Sequence, residues 1–455
     1  MSGTVKLTAS GTEARETHFM SRSASGAETL ETHVMSRTES GTDARETHFM
    51  SRTASGTETL SATDALIARE DLWGAHNYHP LDLVIEKAEG AWVTDVDGKR
   101  YLDCLSAYSA VNQGHCHPRL LATMIEQASR VTLTSRAFHN DQLGAFCEEL
   151  AELCGMEAVL PMNTGAEAVE TAIKAARRWG YTRRNIPDGL ATIIAFENNF
   201  HGRTTTIVGF SSDQSYRENF GPFAPGFVLV PYGDIAAVRA AMNANTCAVL
   251  IEPIQCEAGV IIPPDGFLRE LSELCSAQSV LLIADEIQTG LGRTGTMFAC
   301  DHDGVKPDMY VLGKALSGGF YPVSAVVSRR DILDVFDPGS HGSTFGGNPL
   351  GCAVARTAMQ VLQDENLVAR SAEQGAWLLS QARTLKHPSI KNVRGRGLMI
   401  AIELHEPARP YCEALKTRGM LCKETHGTVI RLSPPLVVSR EDLEWAVEQL
   451  GVVFG

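Results

Sequence analysis

Two short apolar runs, each followed by a residue that carries chemistry, are the feature that most limits how this chain can fold. Residues 280–284 read VLLIA and precede Asp285, and residues 309–312 read MYVL and precede Gly313 and Lys314. Short aliphatic runs bounded by glycine, proline or aspartate are typical of buried strands in a parallel sheet. The ligand crevice of an open α/β sheet lies beyond the carboxyl ends of its strands. The two runs therefore predict an α/β fold that brings a carboxylate and an amine to the same sheet edge.

An amine and a carboxylate at one sheet edge suit one cofactor in particular. A lysine amine forms a Schiff base with an aldehyde cofactor, and an aspartate pairs with a protonated pyridine nitrogen. Pyridoxal phosphate needs both groups, because its ring withdraws electrons only while the nitrogen stays cationic. Taken alone, the two residues also fit a solvated lysine and a turn aspartate at two ordinary strand ends.

The residues around Asp285 and Lys314 favour the cofactor. Residues 285–290 read DEIQTG and residues 313–319 read GKALSGG. Both stretches resemble the signature of the class III, fold-type-I aminotransferases, and the resemblance extends from about residue 73 to the C-terminus. It implies an α/β fold, with a large domain built on a mostly parallel central sheet flanked by helices, and a smaller α+β domain.

A second cofactor contact is predicted where a strand over residues 159–163 runs into a helix. Thr164 and Glu167 form a capping box, which alone indicates only a well-capped helix. The free amides and the positive dipole end of such a helix also suit an anion. The resemblance implies that Gly165 and Ala166 bind the cofactor phosphate. The resemblance implies these further cofactor contacts: Lys314 as the Schiff-base lysine, Asp285 at the ring nitrogen, Gln288 at the phenolic oxygen, Phe200 stacked on the ring, and Ser343 and Thr344 at the phosphate.

The resemblance also implies how the substrates bind. Within the family the similarity is greatest to enzymes that take ornithine as amino donor and 2-oxoglutarate as acceptor, so Arg203 and Arg431 would bind the substrate carboxylates. Arginine suits this role because its planar fork matches a carboxylate. Glu257 would neutralise Arg431 while ornithine is bound and swing away when 2-oxoglutarate needs that arginine. Tyr78 would help Arg203 to hold the ornithine carboxylate, and Tyr108 would contact the α-amino group.

Three other functions are open on the sequence. Acetylornithine and 4-aminobutyrate aminotransferases share the fold and the cofactor, but they generally lack the pair formed by Tyr78 and Tyr108. A glutamate-semialdehyde aminomutase would not need the 2-oxoglutarate site that Arg203 and Arg431 imply. A regulator that binds the cofactor without turnover would carry an N-terminal DNA-binding helix pair, whereas this chain begins with a polar repeat.

Charge and composition exclude several kinds of partner. The chain has 455 residues and a net charge of −14, which argues against binding to nucleic acid or an anionic membrane. No apolar run reaches the roughly 18 residues of a spanning helix. The 11 cysteines are scattered without the spacing of a metal site, which is typical of free thiols in a reducing compartment. We therefore expect no metal site and a cytoplasmic location in preference to the mitochondrial matrix. Because Thr344 would reach the phosphate of a neighbouring subunit, we also expect a homodimer with shared active sites.

The first sixty residues differ from the rest of the chain. The tripeptides SGT or SGA recur at residues 10, 25, 40 and 55, so the repeat has a period of fifteen. Its Ser, Thr, Gly and Glu content leaves too few aliphatic side chains to offset the entropy of ordering. The sequence predicts these four regions: a disordered tail at 1–62, an N-terminal segment at 63–117 that packs with the small domain, a large cofactor-binding domain at 118–362, and a C-terminal small domain at 363–455.

Overall fold

The computed structural model describes residues 20–22, 28–30 and 61–455. Two short strands, β1 (Met20–Arg22) and β2 (Glu28–Leu30), pair antiparallel within the repeat region. Apart from these strands and residues 61 and 62, the predicted disordered tail at 1–62 lies outside the described residues. The ordered chain continues with helix α1 (Ala62–Trp73), whose N-cap is Ser61.

The remaining elements alternate between strands and helices in the manner of an α/β fold. The strands are β3 (Ile85–Glu89), β4 (Trp92–Asp95), β5 (Arg100–Asp103), β6 (Ala158–Met162), β7 (Thr192–Phe196), β8 (Phe227–Val230), β9 (Thr246–Ile251), β10 (Leu281–Asp285), β11 (Met309–Leu312), β12 (Ser324–Ser328), β13 (Ile390–Arg396), β14 (Met399–Leu404), β15 (Met420–Leu421), β16 (Lys423–Thr425) and β17 (Val429–Leu432). The helices are α2 (Ser106–Ser109, a single turn), α3 (Pro118–Arg130), α4 (Leu143–Cys154), α5 (Gly165–Arg183), α6 (Thr205–Gly209), α7 (Ile235–Ala241), α8 (Phe267–Ala277), α9 (Arg330–Leu333), α10 (Pro349–Asp364), α11 (Leu367–Ala382), α12 (Arg409–Thr417) and α13 (Arg440–Val453).

A seven-stranded sheet forms the centre of the fold, in the order β6-β12-β11-β10-β9-β7-β8. The five strands β11, β10, β9, β7 and β8 are parallel to one another, and β12 alone runs antiparallel to both strands beside it. Every residue of β9 to β12 is buried, as expected for strands covered on both faces. The mostly parallel sheet predicted from the two apolar runs is therefore confirmed.

Helices pack against both faces of this sheet. The apolar side of α5, including Val169, Ile173 and Ala176, packs in one cluster with residues of β7, β9 and β11. The opposite face packs against α8 through Leu271 and Leu274.

Because β10 pairs with β11 in the register Asp285 to Val311, Asp285 and the turn containing Lys314 lie at the same edge of the sheet.

Two smaller sheets complete the chain. One is antiparallel, in the order β13-β14-β17-β16, and the other has the order β15-β5-β4-β3. The parallel pair formed by β15 and β5 joins Met420 to Leu102, which links the two ends of the ordered chain. The smaller α+β part is thus confirmed, while the boundaries at 117/118 and 362/363 remain predictions.

Helix α11 packs so closely against the loop between β13 and β14 that there is no room for a side chain at Gly375. A Cβ atom on Gly375 would lie 2.0 Å from the backbone carbon of Gly397, and a backbone atom cannot turn aside as a side chain can. We expect Gly375→Ala to lower the free energy of unfolding by about 3 kcal/mol, measured by denaturant titration. Gly144→Ala is the control, because nothing lies within 4 Å of its new methyl group. Equal stability of the two variants would contradict this packing.

Candidate active site

The first turn of α5 presents two backbone amides to the sheet edge. Thr164 accepts a hydrogen bond from the Glu167 amide at 3.3 Å, and the Glu167 carboxylate accepts one from the Thr164 amide at 2.8 Å. The predicted capping box is therefore present. Within the described part of the chain, the amides of Gly165 and Ala166 have no acceptor. A Cβ on Gly165 would lie 3.0 Å from Ile287 Cδ1, a tight contact that the Ile287 side chain would have to relieve. The free amides at this helix end suit an anion.

The loop that contains Ser343 lies against the same helix end. Ser343 Oγ accepts hydrogen bonds from Asn163 Nδ2 at 2.8 Å and from the Gly346 amide at 3.1 Å. Thr344 is exposed. The structure thus brings Ser343 next to Asn163, just before the N-terminus of α5, and leaves Thr344 exposed.

Asp285 is buried at the end of β10 and is oriented by two donors. His201 Nδ1 lies 2.6 Å from one carboxylate oxygen, and the Ile287 amide donates to the other at 3.1 Å. His201 Nε2 is buried without a partner, which is tolerable for a bare lone pair and costly for an N–H group. The arrangement favours the tautomer with its proton on Nδ1, which then donates to the Asp285 carboxylate.

Lys314 begins the turn that follows β11, and its backbone lies in the left-handed region with φ 47°. Such strain in a residue other than glycine is concentrated at functional sites. Among the described residues, nothing forms a hydrogen bond or ion pair with its amine. Burial lowers the pKa of the Lys314 amine below its usual range, and this outweighs the opposite effect of the nearby Glu257 carboxylate.

Glu257, Arg431 and Gln288 form one polar cluster. Arg431 Nη1 donates to Glu257 Oε1 at 2.8 Å and to Gln288 Oε1 at 3.1 Å, and Gln288 Nε2 donates to Glu257 Oε1 at 3.1 Å. Burial by itself raises the pKa of Glu257, but the positive charges of Arg431 and Lys314 outweigh it and lower the pKa to about 2. Arg431 is 2% exposed, so in this arrangement Glu257 is the anion that compensates its charge.

The two tyrosines predicted to contact substrate differ in their surroundings. Tyr108 lies in a turn where four consecutive residues, Ser106 to Ser109, have positive φ, a conformation that only glycine adopts without cost. Ser106 Oγ donates to the Ser433 carbonyl at 2.5 Å, which ties this turn to the end of β17. Arg431 Cζ lies 5.4 Å from the centre of the Tyr108 ring. Tyr78 is 72% exposed.

Phe200 and Arg203 follow β7, and their positions depend on two residues that sequence reasoning missed. The Phe200 amide donates to Glu252 Oε2 at 2.9 Å. Burial, together with the charge of Asp285, raises the pKa of Glu252 well above its usual range. Arg203 Cζ lies 3.8 Å from the centre of the Tyr216 ring. No local pattern marks Glu252 or Tyr216 for these roles.

Cys256 precedes Glu257 and is buried. Its thiol lies 3.1 Å from Met399 Sδ, and burial raises its pKa well above the usual range. These surroundings indicate a packed and unreactive thiol. Within residues 20–22, 28–30 and 61–455, no group of three metal-ligating side chains could hold a metal ion.

The donor set of this sheet edge fits pyridoxal phosphate. The free amides of Gly165 and Ala166 suit its phosphate, the anionic Asp285 suits its ring nitrogen, and the unpaired amine of Lys314 suits its aldehyde. These three features lie at helix and strand ends around one edge. Together they define a site for a cofactor-dependent transferase.

The family model for class-III aminotransferases matches residues 73–454. The chain therefore belongs to the class-III aminotransferases, which depend on pyridoxal phosphate. Similar proteins are known from several bacteria. The ornithine aminotransferase of Brevibacillus brevis is 59% identical over 395 residues, which cover 87% of this chain and 99% of that protein. The ornithine aminotransferase of Bacillus subtilis is 58% identical over 391 residues, covering 86% and 98%.

Solved structures of aminotransferases are also similar to this chain. The ornithine aminotransferase of Toxoplasma gondii is similar with a TM-score of 0.85 and 46% identity, over 86% of this chain and 94% of that one. The acetylornithine aminotransferase of Elizabethkingia anophelis is similar with a TM-score of 0.80 and 47% identity, over 87% and 99%. The family and its fold are thus shared, while the named activities of these relatives differ.

Proposed function

We propose that the protein transfers the terminal amino group of L-ornithine to 2-oxoglutarate. The products are glutamate 5-semialdehyde, which cyclises to pyrroline-5-carboxylate, and glutamate. The observation that supports this best is the unequal state of the two arginines. Arg431 is paired with Glu257 at 2.8 Å, whereas Arg203 has no ion pair among the described residues. Ornithine carries one carboxylate and two amines, so a site with one free guanidinium fits it.

The cofactor would be held by groups on three elements. Gly165, Ala166 and Ser343 would bind the phosphate, Asp285 the ring nitrogen, and Lys314 the aldehyde. When bound, pyridoxal phosphate supplies an electron-withdrawing ring and an aldehyde that carries the amino group between substrates. Phe200 would pack against the ring, and Gln288 would contact its phenolic oxygen in addition to Glu257 and Arg431.

In the first half of the reaction, ornithine presents its terminal amine. Its α-carboxylate would bind Arg203 and Tyr78, and its α-amino group would contact Tyr108. The paired Arg431 does not attract that carboxylate to the reacting end. The lowered pKa of the Lys314 amine leaves a larger neutral fraction, which can accept the proton from the carbon that bears the terminal amine.

In the second half of the reaction, 2-oxoglutarate brings two carboxylates. Its distal carboxylate would bind Arg203, and the carboxylate beside the keto group would need Arg431. Glu257 must therefore leave Arg431 at this stage. The exchange replaces one anion beside Arg431 by another, so the guanidinium never remains buried without a counter-charge.

An amino-donor panel tests this proposal. The purified protein, loaded with pyridoxal phosphate, is given 2-oxoglutarate and either ornithine, N-acetylornithine, 4-aminobutyrate or glutamate 5-semialdehyde. We expect kcat/KM for ornithine to exceed the value for N-acetylornithine by about 100-fold, because an acetylated α-amine would displace Tyr108. Ornithine should also be preferred to the other two donors. The cyclised product is trapped with an aromatic amine. A preference for N-acetylornithine would overturn the proposal in favour of acetylornithine aminotransferase activity, the activity named for the Elizabethkingia anophelis protein.

The proposal includes a homodimer in the cytoplasm. Thr344 is exposed and directly follows Ser343 in the chain, which supports a role toward a neighbouring subunit, and closed two-fold dimers are common. All 11 cysteines lack a disulfide, in keeping with a reducing compartment. In the described part of the chain, no helix is both long and apolar enough to cross a membrane.

A further inference from the structure

Arg203 is held by aromatic rings and not by an anion. Its Cζ lies 3.8 Å from the centre of the Tyr216 ring and 5.4 Å from the centre of the Phe200 ring. The two rings meet edge to face with their centres 6.0 Å apart. Among residues 61–455, no carboxylate lies within 4.0 Å of its guanidinium and no hydrogen bond is formed to it. An exposed arginine without these rings would sample many orientations.

The mode of contact determines which part of the guanidinium stays available. All five N–H groups of a guanidinium lie in its plane, so a ring stacked on its face leaves them free for a planar carboxylate. A salt bridge from the protein would instead occupy those donors. Stacking on Tyr216 therefore restricts the orientation of Arg203 without reducing its capacity to bind a substrate.

We propose that Tyr216 is a positioning residue that orients Arg203 for bidentate binding of the substrate carboxylate distal to the reacting carbon. The inference rests on the proposed function and deepens it. In both halves of the proposed reaction Arg203 binds that carboxylate, so Tyr216 acts on the donor and on the acceptor alike.

The segment around Tyr216 is built to hold the ring in place. Tyr216 ends a 3₁₀ helix, Gln214–Tyr216, whose N-cap Asp213 accepts a hydrogen bond from the Ser215 amide at 2.8 Å. On the other side, Arg217 donates to the Ser211 carbonyl at 3.3 Å and lies 5.3 Å from the Phe223 ring. Both flanks of Tyr216 are thus fixed to the segment that begins at Ser211.

The ring of Tyr216, and not its hydroxyl, makes the contact. Within residues 61–455, no protein group forms a hydrogen bond with this hydroxyl. Burial raises the pKa of Tyr216 above its usual value, more than the charge of Arg203 lowers it, so the phenol stays neutral at neutral pH. Phenylalanine should therefore replace tyrosine here, and leucine should not.

The test compares Tyr216→Leu with Tyr216→Phe in the holoenzyme. For the leucine variant we expect KM for ornithine and for 2-oxoglutarate to rise about fivefold, the upper end of the range for a cation–π contact of an exposed arginine. Its kcat and the visible absorbance of the bound cofactor should stay within about twofold of the wild type. Glutarate, an unreactive dicarboxylate, should bind to this variant about fivefold more weakly by calorimetry. The phenylalanine variant should match the wild type in each measurement.

Two further measurements separate positioning from simple packing. In single turnover, 1,4-diaminobutane, which is ornithine without its carboxylate, should react equally with the wild type and Tyr216→Leu. In an Arg203→Lys background, Tyr216→Leu should have little further effect on glutarate binding, because lysine has no planar face to stack.

Each outcome bears on the inference. Equal losses of substrate and glutarate affinity in Tyr216→Phe and Tyr216→Leu would overturn it. So would a loss of single-turnover rate with 1,4-diaminobutane in Tyr216→Leu that is as large as the loss with ornithine. Unchanged glutarate binding in Tyr216→Leu would do so as well. If the wild type does not use ornithine, the proposed function fails, whereas glutarate binding still decides the role of Tyr216.

Discussion

Lys314→Ala is expected to reduce kcat with ornithine and 2-oxoglutarate by about four orders of magnitude. No other lysine or histidine of the site takes the place of its amine: His201 is buried against Asp285 at 2.6 Å. The variant should also lose the visible absorbance band that marks cofactor bound through a lysine. Steady-state kinetics and an absorbance spectrum of the purified protein measure both effects.

The control for this experiment is Lys306→Ala. Lys306 is exposed and lies in the loop before β11, where its amine donates to the Gly155 carbonyl. Its replacement removes one positive charge from the same part of the chain without touching the site. We expect unchanged spectra and kinetics. Turnover within about tenfold of the wild type in Lys314→Ala would refute the proposed role of Lys314.

Replacement of Glu257 should change which donor the enzyme accepts. In Glu257→Ala, Arg431 is free to bind the α-carboxylate of an α-amino acid beside the reacting carbon. We expect kcat/KM for glutamate as donor to rise relative to ornithine by about 100-fold, the range of a close, desolvated charge pair. Glu257→Gln keeps the shape and removes the charge, so it should reproduce most of this change. An unaltered donor ratio in both variants would show that the ion pair does not control selectivity.

The same substitutions predict an effect on stability. Arg431 is 2% exposed, and Glu257→Ala leaves its charge buried without a counter-charge, which destabilises a fold by about 3 kcal/mol. A dicarboxylate such as glutarate should restore part of this loss, because it supplies a new anion. Thermal unfolding with and without glutarate measures the difference.

The pH dependence of the donor preference follows from the pKa of Glu257, which its cationic neighbours lower to about 2. A depressed carboxyl pKa means that the ion pair is complete above the ordinary range and is lost only as the pH falls toward 2. Protonation therefore does not open this pair near neutral pH. We expect the ratio of ornithine to glutamate activity to stay constant between about pH 6 and about pH 9.

Local sequence patterns predicted the parts of the site that belong to single elements. Runs such as residues 280–284 indicated buried strands, and the position of Asp285 just after that run placed it at the sheet edge. The spacing of Thr164 and Glu167 predicted the capping box, because both partners lie within one helical turn. Recognition of the family signature supplied the roles, which the strand pattern alone does not contain.

Contacts between distant segments could not be predicted in the same way. Tyr216 reaches Arg203 because the segment after α6 folds back toward the residues that follow β7, and Glu252 reaches the Phe200 amide from the end of another strand. Residues Ser106 to Ser109 all have positive φ, yet none of them is a glycine, so the sequence does not predict this turn. Its conformation is imposed by tertiary contacts such as that of Ser106 with Ser433.

The pairing of β5 with β15 has a consequence for biosynthesis. Leu102 meets Met420 in this sheet, so β5, which already pairs with β4 on its other side, lacks one of its two neighbours until nearly the whole polypeptide has left the ribosome. Contacts of such long sequence separation form late and slowly. A nascent chain stalled before residue 420 would therefore expose an unpaired strand edge and depend on chaperones, although its seven-stranded sheet is already fully translated.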